Sequence, residues 1–332
     1  MENKNSGSPL VSVIIPAYNA GKLLSGTIQS LLDQQYAFLE IIIVNDGSSD
    51  NTEQIVKTYT FDSRIKYIFQ ENKGCSGAKN TGMAVATGDF IQYLDADDVL
   101  SPDKISEQVH ALQDRADEIA VCRTKAFFGD IHEPGMSEID TDFLYNTDNT
   151  FEFLLNLYGI NGNDGMIQPN AFLISRKLAE SIGPWDTSLS PSPDEDGEYF
   201  CRALLAAKGL LFTTGGVNYY RKHPSTESSL SRQVSHRHAK GALRSLQLIK
   251  NQLLSRENSS RVKELMAQRF ANFIYLYSFY KDLGRAAKNE IHELGITKVP
   301  ETGGGNFKRL ARWVGFDNAL RFKNLLSRKW RK

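Results

Sequence analysis

The stretch IIIVNDGSSD at residues 41–50 decides the architecture. Ile41 to Val44 are four consecutive β-branched aliphatics, the pattern of a strand covered on both faces. Asn45 to Asp50 then gathers the residues that favour a turn, and Asp50 is placed to cap a helix over 51–60. The same grammar recurs on either side. Residues 11–15, VSVII, read as a buried strand closed by Pro16, with Ala17, Tyr18 and Asn19 in the loop and a helix over 23–32. A third strand is predicted over 65–69, a small-residue helix over 74–86, and a fourth strand over 90–94 that ends in Asp95-Ala96-Asp97-Asp98. Ser101 and Pro102 suit the cap and first turn of a helix ending near Arg115.

Strand and helix alternating at this spacing predict an α/β fold with a mostly parallel sheet flanked by helices. The polar insertions 16–20, 45–50, 70–76 and 95–98 all follow strands, and an open parallel sheet forms its ligand crevice at the carboxyl ends of its strands. Further on, strands are predicted at 119–127, 171–174, 210–214 and 217–220. Helices are predicted at 151–158, 176–182, 197–205, 234–256 and 260–282.

Asp95, Asp97 and Asp98 would repel one another at neutral pH, and a hard cation such as Mg²⁺ or Mn²⁺ relieves that cost while taking further oxygens from phosphates. Asp46 at a strand end can accept from a base imide or a ribose hydroxyl. Lys73 and Lys79 flank a glycine-rich helix start that suits a diphosphate. Neither a P-loop nor the GxGxxG dinucleotide pattern is present. A second acidic knot, Asp194-Glu195-Asp196-Gly197-Glu198, offers a carboxylate whose pKa could be raised for general-base work.

The 332 residues balance 39 basic against 39 acidic side chains, which argues against a nucleic-acid coat. The balance is uneven along the chain, however. Residues 303–332 carry nine Lys or Arg and one acid, so a basic tail of net +8 follows a body of net −8. The tail interleaves those charges with Phe307, Trp313, Phe316, Phe322, Leu325, Leu326 and Trp330. That pattern suits an amphipathic segment on an anionic membrane surface, broken into two helices at Gly315. Three cysteines without metal spacing fit a reducing compartment. No secretory signal and no apolar run long enough to span a bilayer occurs, so a cytoplasmic protein, peripheral on the membrane through its tail, is expected. The aromatic residues of 260–282 should cover the body or form a homodimer interface.

These motifs together resemble the inverting glycosyltransferase family 2 with the GT-A fold. The resemblance rests on VSVIIPAYN at 11–19, IIIVNDGSSD at 41–50, ENKGCSGAKNTG at 71–82, LDADD at 94–98, GPWD at 183–186, and Glu195-Asp196 with Arg202. It covers about residues 9–225. It implies that Pro16, Ala17, Tyr18 and Asn19 line the nucleotide base and that Asp46 bonds to it, typically uracil. Asp95 should approach the ribose or a metal-bound water, with Ala96 beside it, Asp97 should ligate the metal with Asp95, and Asp196 should be the base. Lys73 and Lys79 would face the diphosphate of a UDP-sugar, and Arg221 and His223 would approach the diphosphate or the metal. Asn45, where the family often has aspartate, and Lys79, where it often has arginine, are departures. The implied acceptor is a hydroxyl of a saccharide or lipid-linked saccharide. The expected units are a nucleotide-sugar half at 1–98, an acceptor half at 99–230, a helical extension at 231–302 and the tail at 303–332. Competing readings are a non-catalytic nucleotide-sugar or glycan binder, a sugar nucleotidyltransferase and a haloacid-dehalogenase-like phosphatase.

Overall fold

The computed structural model describes residues 7–113, 115–129, 131, 136–139, 142–162, 164–192, 194–223 and 235–329, with side chains as far as Leu326. Pro134, Pro193, Trp330, Arg331 and Lys332, which the sequence places in loops and in the tail, lie outside the described residues.

The first four strands follow the expected order. β1 (Val11–Ala17) pairs in parallel with β2 (Leu39–Asp46) on one side and β4 (Phe90–Tyr93) on the other, and β3 (Ile65–Gln70) extends the sheet beyond β2. Between them run α1 (Leu24–Leu32), α2 (Thr52–Lys57) and α3 (Gly74–Val85). Pro16 does not close β1 but lies within it, opposite Val44. β4 pairs only as far as Ile14, so the proline sits where the ladder on that side has already ended.

Past β4 the sheet becomes mixed. β8 (Phe172–Ser175) runs antiparallel to both β4 and β6 (Glu118–Phe127). β9 (Gly209–Arg221) then lies parallel to β6, and the short β5 (Val99–Leu100) pairs with β9, while β7 (Ser137–Glu138) pairs with β6 off this path. The two strands expected at 210–214 and 217–220 are one strand, whose register against β6 shifts at Gly215 and Gly216. The helix expected from Ser101 starts later, as α4 (Lys104–Ala111), because Ser101 and Asp103 form the turn that precedes it.

Alternate residues of the strands feed two cores. Val13, Ile15, Ile41 and Ile43 pack on α1 and α4. Ile14, Ile42 and Val44 face the other side, with α3, α5 (Thr150–Leu157), α6 (Arg176–Ile182) and α7 (Glu195–Ala206). α3 rides close on β1, where a Cβ at Gly82 would stand 2.4 Å from the Ile14 side chain. Covering both faces is why the strands read as unbroken aliphatic runs.

The C-terminal helices join the second core. α8 (His236–Arg256) packs along α7, and α9 (Ser260–Leu276) packs on α8 and on α10 (Lys281–Glu293). Phe270 and Phe273 are buried in this core, with Tyr275, Tyr277 and Tyr280 packed against it. The rings thus find cover within the chain. The helix expected through 282 stops at Leu276, and Tyr277–Tyr280 turn the chain into α10; no glycine or proline marks that break. Two helices separated at Gly315, α11 (Gly305–Val314) and α12 (Phe316–Lys329), complete the chain as expected. No helix among the described residues is long and apolar enough to cross a membrane.

Candidate active site

Four strand ends converge at one edge of the sheet. The loops after β1 and β2 are tied together. The Asn19 amide donates to Ser48 Oγ at 2.9 Å and its Oδ1 accepts from the Ser49 amide at 2.9 Å, with Asn19 held at φ +50°. Gly21 and Thr52 amides both reach the Asp50 carboxylate, so Asp50 holds the start of α2 and the first loop at once. Ala17 is buried at the floor of this edge, and Tyr18 is 57% exposed above it.

Asp46 is 3% exposed. Its Oδ1 accepts from Gln70 Nε2 at 2.6 Å and from the Lys73 amide at 2.8 Å, which fixes the entry to α3 against the end of β2. Asn45 beside it donates through Nδ2 to the Tyr67 hydroxyl and accepts the Ser48 amide on Oδ1. An aspartate there would have to accept from the Tyr67 hydroxyl instead, so the departure at Asn45 sets the direction of this bond.

α3 then carries the site toward the segment at 183–198. Gly74 adopts φ +78°, and a Cβ there would stand 2.3 Å from Ser190 Oγ. Lys79, 4% exposed, places its ammonium 4.0 Å from the Trp185 ring centre. Asn80 exchanges two bonds of 2.9 Å with the Trp185 backbone. Burial pulls the Lys79 pKa down, and Cys75, Asp95, Asp196 and Glu195 around it more than offset that, so it stays a cation.

The acidic turn after β4 is clamped from two sides. Asn170, wholly buried before β8, accepts the Asp95 amide at 3.1 Å and donates to Asp98 Oδ2 at 2.5 Å. At the end of β9 the Arg221 amide donates to Asp98 Oδ1 at 2.7 Å, and its Nε donates to the Asp97 carbonyl at 2.9 Å. Its Nη1 reaches the Gly129 carbonyl. Arg221, expected near a diphosphate, thus has its guanidinium engaged in holding the turn. Asp98 is fully buried between these donors and its carboxyl is pushed well above the usual range by burial and by Asp97 and Asp95. Asp97 turns outward, and its Oδ2 lies 2.7 Å from His223 Nε2.

The expected donor set of Asp95, Asp97 and His223 does not close into a three-membered cluster; among the described residues no group of three His, Cys, Asp or Glu is placed to hold a metal ion. His223 joins Asp97, whereas burial raises the Asp95 carboxyl and Lys79 is the strongest influence opposing that rise. One or two carboxylates without a full cage still fit Mg²⁺ or Mn²⁺, which take the rest of their oxygens from water and phosphate.

The second acidic knot sorts itself by partner. The expected helix at 197–205 begins two residues earlier, as α7, so Asp196 stands in its first turn. Asp194 accepts Ser245 Oγ at 3.1 Å. Glu195 accepts Ser76 Oγ and the Ser192 amide. Glu198 is held by Arg202 and by Gln252 Nε2 at 2.7 Å. Asp196 has no side-chain hydrogen-bond partner among the described residues. Burial, aided by Asp194 and Asp95 and opposed by Lys79, raises its carboxyl to about 7.

The family model for glycosyl transferase family 2 matches residues 12–183, which takes in the loops after β1, β2 and β4 and the start of α3. The chain belongs to glycosyltransferase family 2. Similar curated proteins include an uncharacterised glycosyltransferase of Rickettsia typhi, 34% identical over 58% of each chain. The glycosyltransferase YibD of Escherichia coli, itself uncharacterised, is 40% identical over 41% of this chain and 40% of its own. The glycosyltransferase GlyG of Streptococcus pneumoniae is 37% identical over 34% and 38%. The match thus spans less than two thirds of these relatives' own lengths. Among solved structures, residues 1–349 of Staphylococcus aureus TarS in complex with UDP-GlcNAc superpose with a TM-score of 0.69 at 17% identity, covering 96% of this chain and 92% of that one. GalNAc-T7 with UDP, GalNAc and Mn²⁺ superposes at 0.59, with 16% identity, over 89% and 59%. The fold is the GT-A fold these structures share.

Asn170 went unnoticed in the sequence, as did Gln92 and Lys104, which pair in the interior behind it. The only local signal was a polar residue, preceded by proline, at the mouth of a buried strand.

Proposed function

We propose that this family 2 member transfers a hexose or N-acetylhexosamine, with inversion, from a UDP-sugar to a hydroxyl of a saccharide or lipid-linked saccharide, with Asp196 as general base. The observation that carries this reading is the sorting of the acidic knot. Asp194, Glu195 and Glu198 are committed to α8, α3 and Arg202, while Asp196 is left with its ionisation poised near neutrality. A base works best when its pKa lies near the working pH.

The uridine belongs at the first two strand ends, with Tyr18 over the base and Asp46 accepting from it, since both described donors to Asp46 use Oδ1. Pro16, Ala17 and Asn19 complete that wall. Solved proteins of the same fold that hold UDP or UDP-GlcNAc support the choice of nucleotide. Asp97 and Asp95 would hold the divalent cation, which when bound neutralises charge on the diphosphate. Ala96 keeps that turn small, and Lys73 and Lys79 add positive charge at the start of α3.

The acceptor oxygen forms a bond to the anomeric carbon as the bond from that carbon to the β-phosphate oxygen breaks. Asp196 takes the hydroxyl proton, and the electron pair leaves with UDP from the opposite face. One displacement of this kind inverts the anomeric centre, by the same opposed-face logic as inverting glycoside hydrolysis.

The test is incubation with a panel of sugar nucleotides and saccharide acceptors, read by mass for the product and by NMR for the new anomeric configuration. An inverted glycoside and free UDP are expected. Retention of configuration would overturn the single displacement. Tight UDP binding with no product from any donor would make the chain a non-catalytic relative, and pyrophosphate exchange or release of phosphate from a monoester would assign it to nucleotidyl transfer or phosphatase chemistry.

A further inference from the structure

α11 and α12 do not float free of the body. Phe307 packs edge-on against Tyr275 with ring centres 4.8 Å apart, Ala319 and Leu320 are buried, and Lys323 reaches the Tyr275 carbonyl. Arg312 pairs with Glu301 at 2.6 Å, and Asn324 bonds to Ser278. One face of the tail is therefore docked on α9 and on the segment that follows it.

A different face remains outward. Trp313 is 89% exposed, and Phe322, Leu325 and Leu326 are 54%, 62% and 62% exposed. On α12 these last three fall at helical spacing, on the side opposite the buried Leu320 and bordered by Ala319 and Lys323. Leu276, 64% exposed, is the residue after Tyr275, to which Lys323 reaches. Arg309 and Arg321 are exposed on the same two helices, and the sequence beyond Leu326 adds Arg328, Lys329, Trp330, Arg331 and Lys332. Scattered exposed leucines need no explanation, but a group of large apolar side chains with an outward indole, set among basic residues on docked helices, does.

We propose that this outer face of α11 and α12 seats the protein on an anionic phospholipid bilayer. Trp313, Phe322, Leu325 and Leu326 enter the boundary between headgroups and acyl chains, and Arg309 and Arg321 lie among the phosphates. Charge complementarity selects this occupant. A second copy meeting the same face about a two-fold axis would set the net +8 tail against itself. Docking through the opposite face holds the membrane face at a fixed place on the body, so the enzyme would be positioned as well as tethered. The inference goes beyond the transferase reading and does not depend on it.

The test is flotation of the full chain with vesicles of phosphatidylcholine, with and without phosphatidylglycerol, at low and high salt. Binding to the anionic vesicles alone, weakened by salt, is expected. Reversing Arg309→Glu and Arg321→Glu should each weaken partitioning by about fivefold or more. Changing Trp313, Phe322, Leu325 and Leu326 together to serine should bring it to background while the melting temperature, and turnover on a water-soluble acceptor, stay unchanged. Equal flotation on both vesicle types, or flotation untouched by the serine variant, would overturn the proposal. So would failure to float combined with a concentration-dependent dimer that the serine variant abolishes, which would give the face to a second copy.

Discussion

The Lys79 ammonium lies 4.0 Å from the centre of the Trp185 ring, a contact that joins the glycine-rich start of α3 to the segment leading into the helix that carries Asp196. A desolvated cation over an indole contributes about 2 kcal/mol. The same cation lowers the pKa of both Asp95 and Asp196. It therefore acts on both carboxylates without standing in either acidic sequence.

Replacing Lys79 with methionine removes that charge at nearly constant volume. The acid limb of the kcat/KM profile should then move to higher pH, because Asp196 loses the influence that opposes its rise. Turnover at neutral pH should fall about tenfold or more. Lys79→Arg should restore most of it. A methionine variant whose profile coincides with that of the wild type would place the tuning elsewhere.

For Asp196 itself, the Asn variant should slow transfer by roughly 10²–10⁴ while UDP affinity, read by calorimetry, is kept. In the wild type kcat/KM should rise with pH through about 7 as the carboxylate forms. Stability moves the other way. The folded chain holds this proton more tightly than the unfolded one, so it loses stability as pH rises from the ordinary 3.8 toward 7. Asp196→Asn should thus melt higher than the wild type at pH 8, and the gap should close near pH 4.

The acidic turn offers a contrast. Asp97→Asn should weaken the Mg²⁺- or Mn²⁺-dependent part of UDP binding and leave the fold intact, since Asp97 is partly exposed and turned outward. Chelation with EDTA should produce the same weakening in the wild type and little more in the variant. UDP binding that is equally tight in EDTA and in Mn²⁺ would remove the cation from the reading.

Asn170→Ala is expected to act through the fold first. It strips a donor from buried Asp98 and an acceptor from the Asp95 amide, at a cost of about 1–3 kcal/mol. Melting temperature should drop, and KM for the donor should rise in the fraction that remains folded. A drop in melting temperature with unchanged KM would show that Arg221 alone suffices to place the turn.

What could be read from the chain and what could not divide along a physical line. Ile41 to Val44 and Val11 to Ile15 announce themselves because a strand covered on both faces must be apolar throughout. Asp46, Asp97 and Asp196 could be singled out because each stands in a stretch that resembles a family 2 motif; as carboxylates beside turns and helix starts alone they would pass for caps. The antiparallel entry of β8 was not visible, since Ala171 to Ile174 would look the same in either direction. Nor was the fate of Arg221, whose engagement with the Asp97 and Gly129 carbonyls depends on chain more than ninety positions away. Among four acids in five residues, only tertiary partners distinguish Asp196 from its neighbours.

The clasp of α7 by α8 has a consequence for how the chain matures. Ser245 reaches back to Asp194 and Gln252 to Glu198, each across about fifty positions, and Arg269 stacks 4.3 Å over Tyr158 from still farther along. A ribosome that has finished every family 2 motif has therefore not yet made the residues that brace the Asp196 helix. Until α8 and α9 emerge, that helix shows a bare apolar flank to chaperones and proteases. On the proposed reading, the nascent protein would engage nucleotide before it could transfer sugar, and the competence to do chemistry would arrive with α8 and α9.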